Sequence, residues 1–99
     1  MSAQTADQIS VIAETYRLLG DPTRLRVLLA CLGGPIAVGD IAKAVEASPS
    51  LVSHHLRLLR AARLVRGTRK MRQILYEAAD DHIRDMLRGM IEHVREEEG

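Results

Sequence analysis

The sequence predicts a single domain over residues 1–99 that is mainly α-helical and carries one small β-hairpin. Apolar residues recur at helical spacing in five segments, whereas only the stretch at residues 64–76 alternates as two strands would. The chain has 99 residues, and 46% of them are hydrophobic, which is enough for one modest core. A core of this size would gain from burying further surface in a dimer.

The first two helices are predicted from apolar spacing and from their end signals. Apolar side chains line one face of residues 8–19, and Gly20 ends this helix. Asp21 then occupies the position of an N-cap, with Pro22 at the first helical position of the second helix. The second helix ends before Gly33. Its buried stripe comprises Leu25, Leu28, Leu29 and Leu32.

Two short helices joined by a tight turn follow, and together they predict a helix-turn-helix over about residues 38–62. The third helix spans residues 38–45. Ser48 is expected to cap the fourth helix, with Pro49 at its first position, and this helix runs to about Arg60.

The fourth helix presents a polar face that suits DNA. Hydroxyl, imidazole and guanidinium groups near a helix start can bond base edges and phosphates in a major groove. The net charge is only +1, yet no acidic residue occurs between Glu46 and Glu77, so this part of the chain favours a polyanion. An ordinary solvated face is the alternative. The candidate DNA-binding residues of this helix are Ser48, Ser50, Ser53, His54 and Arg57.

A basic β-hairpin follows the fourth helix and is predicted to form a wing over about residues 64–77. Its strands are expected at residues 64–69 and 72–76, with the tip near Lys70 and Met71. Such a hairpin beside a recognition helix can lay cations along phosphates or into a minor groove. Its candidate DNA-binding residues are Arg69, Lys70 and Arg72.

The last helix, at about residues 80–97, combines an apolar stripe with four potential metal ligands. An apolar face of this kind is expected to be buried against another surface. The stripe comprises Ile83, Met86, Leu87, Met90, Ile91 and Val94. Asp80 and His82 stand two apart, His93 follows eleven residues after His82, and Glu96 lies three beyond His93. Nitrogen and oxygen donors of this kind suit zinc or cobalt.

The ligand spacing prevents one helix from closing this metal site. His82 and His93 lie roughly 16 Å apart along a helix, whereas bonds to zinc are about 2 Å long. An antiparallel copy of the helix, related by a two-fold axis, would bring His93 and Glu96 of one subunit beside the other pair. The pattern therefore predicts two identical inter-subunit sites in a homodimer. The alternative is an acidic solvated face whose histidines fall eleven apart by chance.

Two segments resemble the ArsR/SmtB winged-helix metalloregulators, and the resemblance covers nearly the whole chain. The segment LGDPTRLRVL at residues 19–28 is similar to the family's opening signature, and SPSLVSHHLRLLR at residues 48–60 is similar to its recognition helix. The ligand spacing on the last helix is similar to the inter-subunit site of the zinc- and cobalt-sensing branch. The resemblance implies a winged helix-turn-helix homodimer, joined through its first and last helices. It further implies that this dimer binds operator DNA without metal and is released when metal binds.

The chain departs from the family pattern in two places. Ala37 and Gly39 stand where the cysteines of a third-helix thiolate site would be expected, which counts against cadmium and lead. The wing tip has Met71 in a stretch where the family commonly has glycine. Four ligands per site favour tetrahedral zinc or cobalt over octahedral nickel.

Other functions remain open at the level of sequence. One is a repressor of the same fold that senses no metal or senses another ligand. A zinc hydrolase is poorly supported, because four protein ligands leave no open position for water. With no long apolar run and no leader pattern, we expect a cytoplasmic protein that has no membrane segment. Cys31, the single cysteine, lies among leucines and is expected to be a buried thiol.

Overall fold

A computed structural model describes residues 3–98 and contains, within them, five helices and a three-stranded antiparallel sheet. The prediction of a mainly α domain with a helix-turn-helix and a wing is confirmed. No helix in the described part of the chain is long and apolar enough to cross a membrane. In chain order the elements are α1 (Ala6–Leu19), α2 (Pro22–Ala30), β1 (Ile36–Ala37), α3 (Val38–Val45), α4 (Pro49–Ala61), β2 (Val65–Lys70), β3 (Gln73–Ala78) and α5 (Asp81–Glu98).

Side-chain caps fix where the first, second and fourth helices begin. Thr5 forms a capping box with Gln8, whose backbone N–H donates to Thr5 Oγ1 at 3.1 Å. Asp21 Oδ1 accepts from the N–H of Arg24 at 3.0 Å, and Ser48 Oγ accepts from the N–H of Leu51 at 3.1 Å. The caps predicted at Asp21 and Ser48 are therefore confirmed.

The core lies where α2, α3 and α4 pack together above the base of the sheet. Its fully buried side chains include Val27, Leu28, Ile41, Val52 and Leu59. Cys31 also has no exposed surface, as expected, and burial raises the pKa of its thiol to about 12. The side chain is thus a neutral part of the core at physiological pH.

The sheet has a third strand that the sequence did not reveal. In β1, Ile36 pairs with Tyr76 and Ala37 with Leu75, so the strand order is β1-β3-β2. Two residues are too few to show an alternating pattern, and their pairing partner lies about forty residues further along the chain. The sheet therefore ties the start of α3 to the base of the wing.

The wing hairpin turns one residue later than predicted. The last pair of the ladder is Lys70 with Gln73, which leaves Met71 and Arg72 as a two-residue turn. Met71 has a φ of +57°, whereas no positive φ occurs at Arg72. A positive φ at the first central residue alone is the pattern of a type II′ hairpin turn, in which glycine is the usual residue.

Candidate nucleic-acid interface and metal centre

The polar face predicted on α4 is directed to the outside of the fold. Ser50, His54 and Arg57 are exposed and Ser53 is half-buried, whereas Val52, Leu56 and Leu59 on the same helix are buried. We call Ser50, Ser53, His54 and Arg57 the recognition face. Ser48 is exposed as well, but its oxygen accepts the capping bond, which leaves its hydroxyl proton for a donor role. That these groups contact DNA stays a prediction.

The two adjacent histidines of α4 have different surroundings. His54 lies on the exposed face, whereas His55 is 5% exposed, with its Nδ1 3.4 Å from Arg24 Nη1. Arg24 in turn donates from Nε to the carbonyl oxygen of Leu18 at 2.8 Å. Burial lowers the pKa of His55, and the neighbouring Arg24 cation acts in the same direction. His55 therefore joins α4 to α2, and Arg24 joins α2 to the end of α1.

Three of the four wing cations carry no ion pair within the described residues. Arg69, Lys70 and Arg72 are exposed near the end of the hairpin. Arg66 differs, because its Nη2 donates to Glu77 Oε1 at 2.9 Å across the two strands. The three cations selected from the sequence thus remain available to phosphates, while the fourth holds the strands together.

Asp80 has a structural role besides its predicted metal ligation. Its Oδ1 accepts from the N–H of Ile83 at 3.0 Å, and its carbonyl oxygen accepts from the N–H of Arg84 at 3.3 Å. Asp80 is therefore the N-cap of α5. The signal was present, since aspartate stands directly before an apolar-periodic run. Its second carboxylate oxygen is not used by the cap, so capping and metal ligation are compatible.

One chain does not bring the four predicted metal ligands together. Asp80 and His82 lie at the start of α5, and His93 and Glu96 lie roughly 16 Å along it, as the helix rise requires. In the described part of the chain, no three His, Cys, Asp or Glu side chains are placed to hold one ion. Each end offers one imidazole and one carboxylate, which is half of a tetrahedral zinc site.

The end helices leave an apolar surface uncovered. Every residue of α1 lies in the described range, and none of them is buried. Tyr16 on α1 is 59% exposed, and Met90 and Val94 on α5 are 58% and 46% exposed. These residues border an apolar groove of about 500 Å³ between α1, α2 and α5. The stripe predicted on the last helix therefore contacts the core only in part.

Two arginines attach α5 to the rest of the fold. Arg84 Nη2 lies 3.2 Å from Glu77 Oε1 on β3, and Arg84 Nε lies 3.4 Å from the carbonyl oxygen of Leu32. Arg88 donates to the same carbonyl at 3.4 Å. Hydrogen bonds from Arg66 and then Arg84 lower the pKa of Glu77. The helix that carries the four predicted ligands is thus bonded directly to the base of the wing.

An α4 with an exposed polar face, a basic wing and uncovered helices at both ends define the chain as a winged helix-turn-helix protein. Comparison with known proteins agrees. Residues 21–66 match the model of the bacterial regulatory proteins of the arsR family. The chain is 40% identical over 90 residues to the transcriptional repressor SmtB homolog of Synechocystis, covering 91% of this chain and 68% of that protein. It is 39% identical over 93 residues to the HTH-type transcriptional regulator NmtR of Mycobacterium tuberculosis, covering 94% and 75%. The chain belongs to the arsR family.

Solved structures show the same architecture. The antimony-specific transcriptional repressor AntR superposes with a TM-score of 0.84 at 29% identity, covering 99% of this chain and 89% of that one. The homodimeric winged helix-turn-helix DNA-binding domain of Mb0332 from Mycobacterium bovis superposes with a TM-score of 0.79 at 25% identity, covering 98% and 92%. The winged-helix fold and the family resemblance are both confirmed.

Proposed function

We propose that this chain is a metal-responsive transcriptional repressor. It binds operator DNA as an apo homodimer and leaves the DNA when zinc or cobalt binds at two inter-subunit sites. The observation that carries the proposal is the separation of the ligand pairs on α5. Two half-sites on one helix become two four-ligand sites only when an antiparallel second copy is added.

The uncovered apolar surface supports the homodimer. The apolar groove lies between α1, α2 and α5. The exposed Met90 and Val94 lie on α5, which carries the predicted ligands, and the exposed Tyr16 lies on α1 across the groove. A surface of this kind on a small domain is typical of a subunit interface. The solved domain of Mb0332, which has the same fold, is a homodimer. The interface that would cover α5 is therefore the one that would complete the metal sites.

The exposed polar and basic groups support binding to double-stranded DNA. The recognition face occupies the outer side of α4, and the unpaired cations Arg69, Lys70 and Arg72 extend beside it on the wing. In a dimer two such units would read half-sites about 34 Å apart, which is one turn of DNA. Binding to chromosomal operators would place the protein in the cytoplasm.

The chemistry of the available donors supports zinc or cobalt. Imidazole and carboxylate ligands suit these ions, and the described chain offers no exposed thiol, because Cys31 is buried with a raised pKa. Ala37, the N-cap of α3, and Gly39, within that helix, supply no ligand either. Thiolate-bound ions are thus disfavoured, although a relative such as AntR is specific for antimony.

α5 provides a physical route from the metal to the DNA. The helix carries the ligands, part of the proposed interface and the Arg84 contact with Glu77 on the wing. A metal held by both subunits fixes how the two α5 helices cross, and the wings move with them. Allosteric coupling is typically about 1–3 kcal/mol, which would correspond here to a change of roughly 5- to 150-fold in operator affinity.

The proposal is tested by titrating zinc into the apo-protein bound to a fluorescent duplex selected from a random pool. The wild type should be released, whereas His82→Ala and His93→Ala should bind DNA normally and resist zinc. Glu92→Gln is the matched control, because Glu92 is an exposed neighbour on α5 outside the ligand set. Release of both histidine variants at wild-type zinc concentrations would refute the site.

A repressor that senses a different ligand is the second candidate. The observation that favours it is the apolar groove of about 500 Å³, which is large enough for a small apolar molecule. In that case the wild type would bind the selected duplex but zinc would not release it.

A further inference from the structure

The turn at the tip of the wing has two features that are unfavourable in the free protein. Met71 adopts a φ of +57°, a region that residues with a Cβ seldom occupy. Its side chain is also 90% exposed, the largest value among the exposed large hydrophobic residues of the described chain. Glycine would remove both features at this position of a two-residue turn. An unfavourable residue in an unfavourable conformation calls for a functional explanation.

The hairpin holds this side chain far from the core. Its ladder runs from the buried pair Val65 and Ala78 to the exposed pair Lys70 and Gln73. At about 3.3 Å per residue, the tip lies roughly 17 Å beyond the base. Met71 is therefore exposed at the end of a two-stranded arm and does not contribute to the stability of the core.

The charges around Met71 indicate what it would contact. Arg69, Lys70 and Arg72 frame it, and none of them is paired within the described residues. Minor-groove proteins use this combination: cations bind the phosphates at the groove edges while an apolar side chain enters between base steps. The unbranched thioether of methionine is narrow and adapts its shape. An apolar protein surface would match Met71 but not the three surrounding cations.

We propose that Met71 is a specificity-determining residue of the wing, an apolar wedge that enters the minor groove beside each recognition-helix site. This inference rests on the proposed DNA binding. Partial unstacking is easiest at pyrimidine–purine steps such as TA and CA. Met71 therefore gives the protein a preference for a deformable step at a position where no base edge is read.

The experiment is a selection from a pool of randomised duplexes, carried out separately with the wild type and Met71→Gly. Both proteins should enrich the same core half-sites. Only the wild type should enrich a TA or CA step at a fixed flanking position and bend its duplex, as measured by energy transfer between end labels. Replacing that step by AA should weaken the wild type roughly tenfold, the order expected for one specifying position, and leave the variant unchanged.

Two controls separate the wedge from other roles of the turn. Glycine adopts a positive φ without strain, so the melting temperature of Met71→Gly should equal or exceed that of the wild type. The variant should therefore lose DNA specificity without losing stability. Lys70→Gln should weaken binding to all duplexes and reduce the salt slope by about one, with the flanking preference retained.

The outcomes distinguish the two proposals. Equal flanking preferences and equal bends in the wild type and Met71→Gly would overturn the wedge while leaving DNA binding intact. Failure of the wild type to enrich any duplex would overturn DNA binding and the wedge together.

Discussion

The three-helix core of α2, α3 and α4 and the two end helices differ in how much of their apolar surface is buried within one chain. Val27, Ile41 and Val52 in α2, α3 and α4 have no exposed surface. By contrast, α1 buries none of its residues, and α5 contributes Leu87 alone to the buried core among its described side chains. The part that would bind DNA thus folds around a finished core. The part that would sense metal has open apolar surface and divided ligands, so it is completed by association.

The largest expected effect is the loss of stability when a cavity is made in the core of α2, α3 and α4. Leu28→Ala removes a fully buried side chain and should lower the free energy of unfolding by about 3 kcal/mol or more. Leu51→Ala is the matched control, because Leu51 is 42% exposed and should lose much less. Urea unfolding followed by circular dichroism measures both. Equal losses would contradict the placement of the core.

The open surface is tested by placing a charge on it. Met90→Asp should weaken dimerisation at least about a hundredfold, because each subunit would bury an unpaired carboxylate. The monomer should keep its helical content, since Met90 is 58% exposed within one chain. Sedimentation velocity measures the change. Met71→Asp makes the same substitution at an exposed methionine on the wing and should leave the dimer intact. A Met90→Asp protein that dimerises normally would place the interface elsewhere.

The contact between α5 and the wing is tested at Arg84. Arg84→Gln removes a charge-assisted bond to Glu77 and should cost about 1–2 kcal/mol of stability, since the two side chains are only 17% and 14% exposed. The matched control is Arg17→Gln, which breaks a 2.6 Å pair with Glu14 whose partners are 76% and 52% exposed. Exposed pairs contribute about 0–1 kcal/mol. Urea midpoints that fall equally in the two variants would show that α5 is not held to the wing by this contact.

The smallest expected effect is a pH dependence within the finished core. Because the pKa of His55 is lowered in the folded protein, the unfolded chain binds more protons just below pH 6.5. Stability should therefore fall as the pH drops through this range, whereas the lowered pKa values of Asp21 and Glu77 act below about pH 4.5. Melting temperatures at pH 7.5 and 5.5 should differ less for His55→Gln than for the wild type. An unchanged difference would assign the effect to another group.

Local signals carried most of what the sequence predicted correctly. Two helix starts were predicted from a capping side chain followed by proline, at Asp21 with Pro22 and at Ser48 with Pro49. Each cap bonds a backbone N–H only three residues further on, and both starts are confirmed. The outward direction of the recognition face also followed from helical periodicity alone. The separation of the four predicted ligands toward the two ends of one helix also followed from the helix rise, whereas their binding of metal stays a prediction.

Features that depend on distant contacts were not predictable in this way. Strand β1 exists because Ile36 meets Tyr76, and α5 is fixed where Arg84 reaches the carbonyl of Leu32. Both contacts join residues 40 or more positions apart, so no local pattern announces them. The turn at Met71 also escaped prediction, because its residues do not have the glycine that marks such a turn.

Mixed dimers test most directly whether the metal site is shared between subunits. His82→Ala and His93→Ala chains carrying different tags are co-expressed, and the mixed dimer is isolated by two affinity steps. One of its sites lacks both histidines, and the other is intact. The account predicts two zinc ions per wild-type dimer, one per mixed dimer and none for either variant alone. A mixed dimer that binds no zinc would contradict a site built from both subunits.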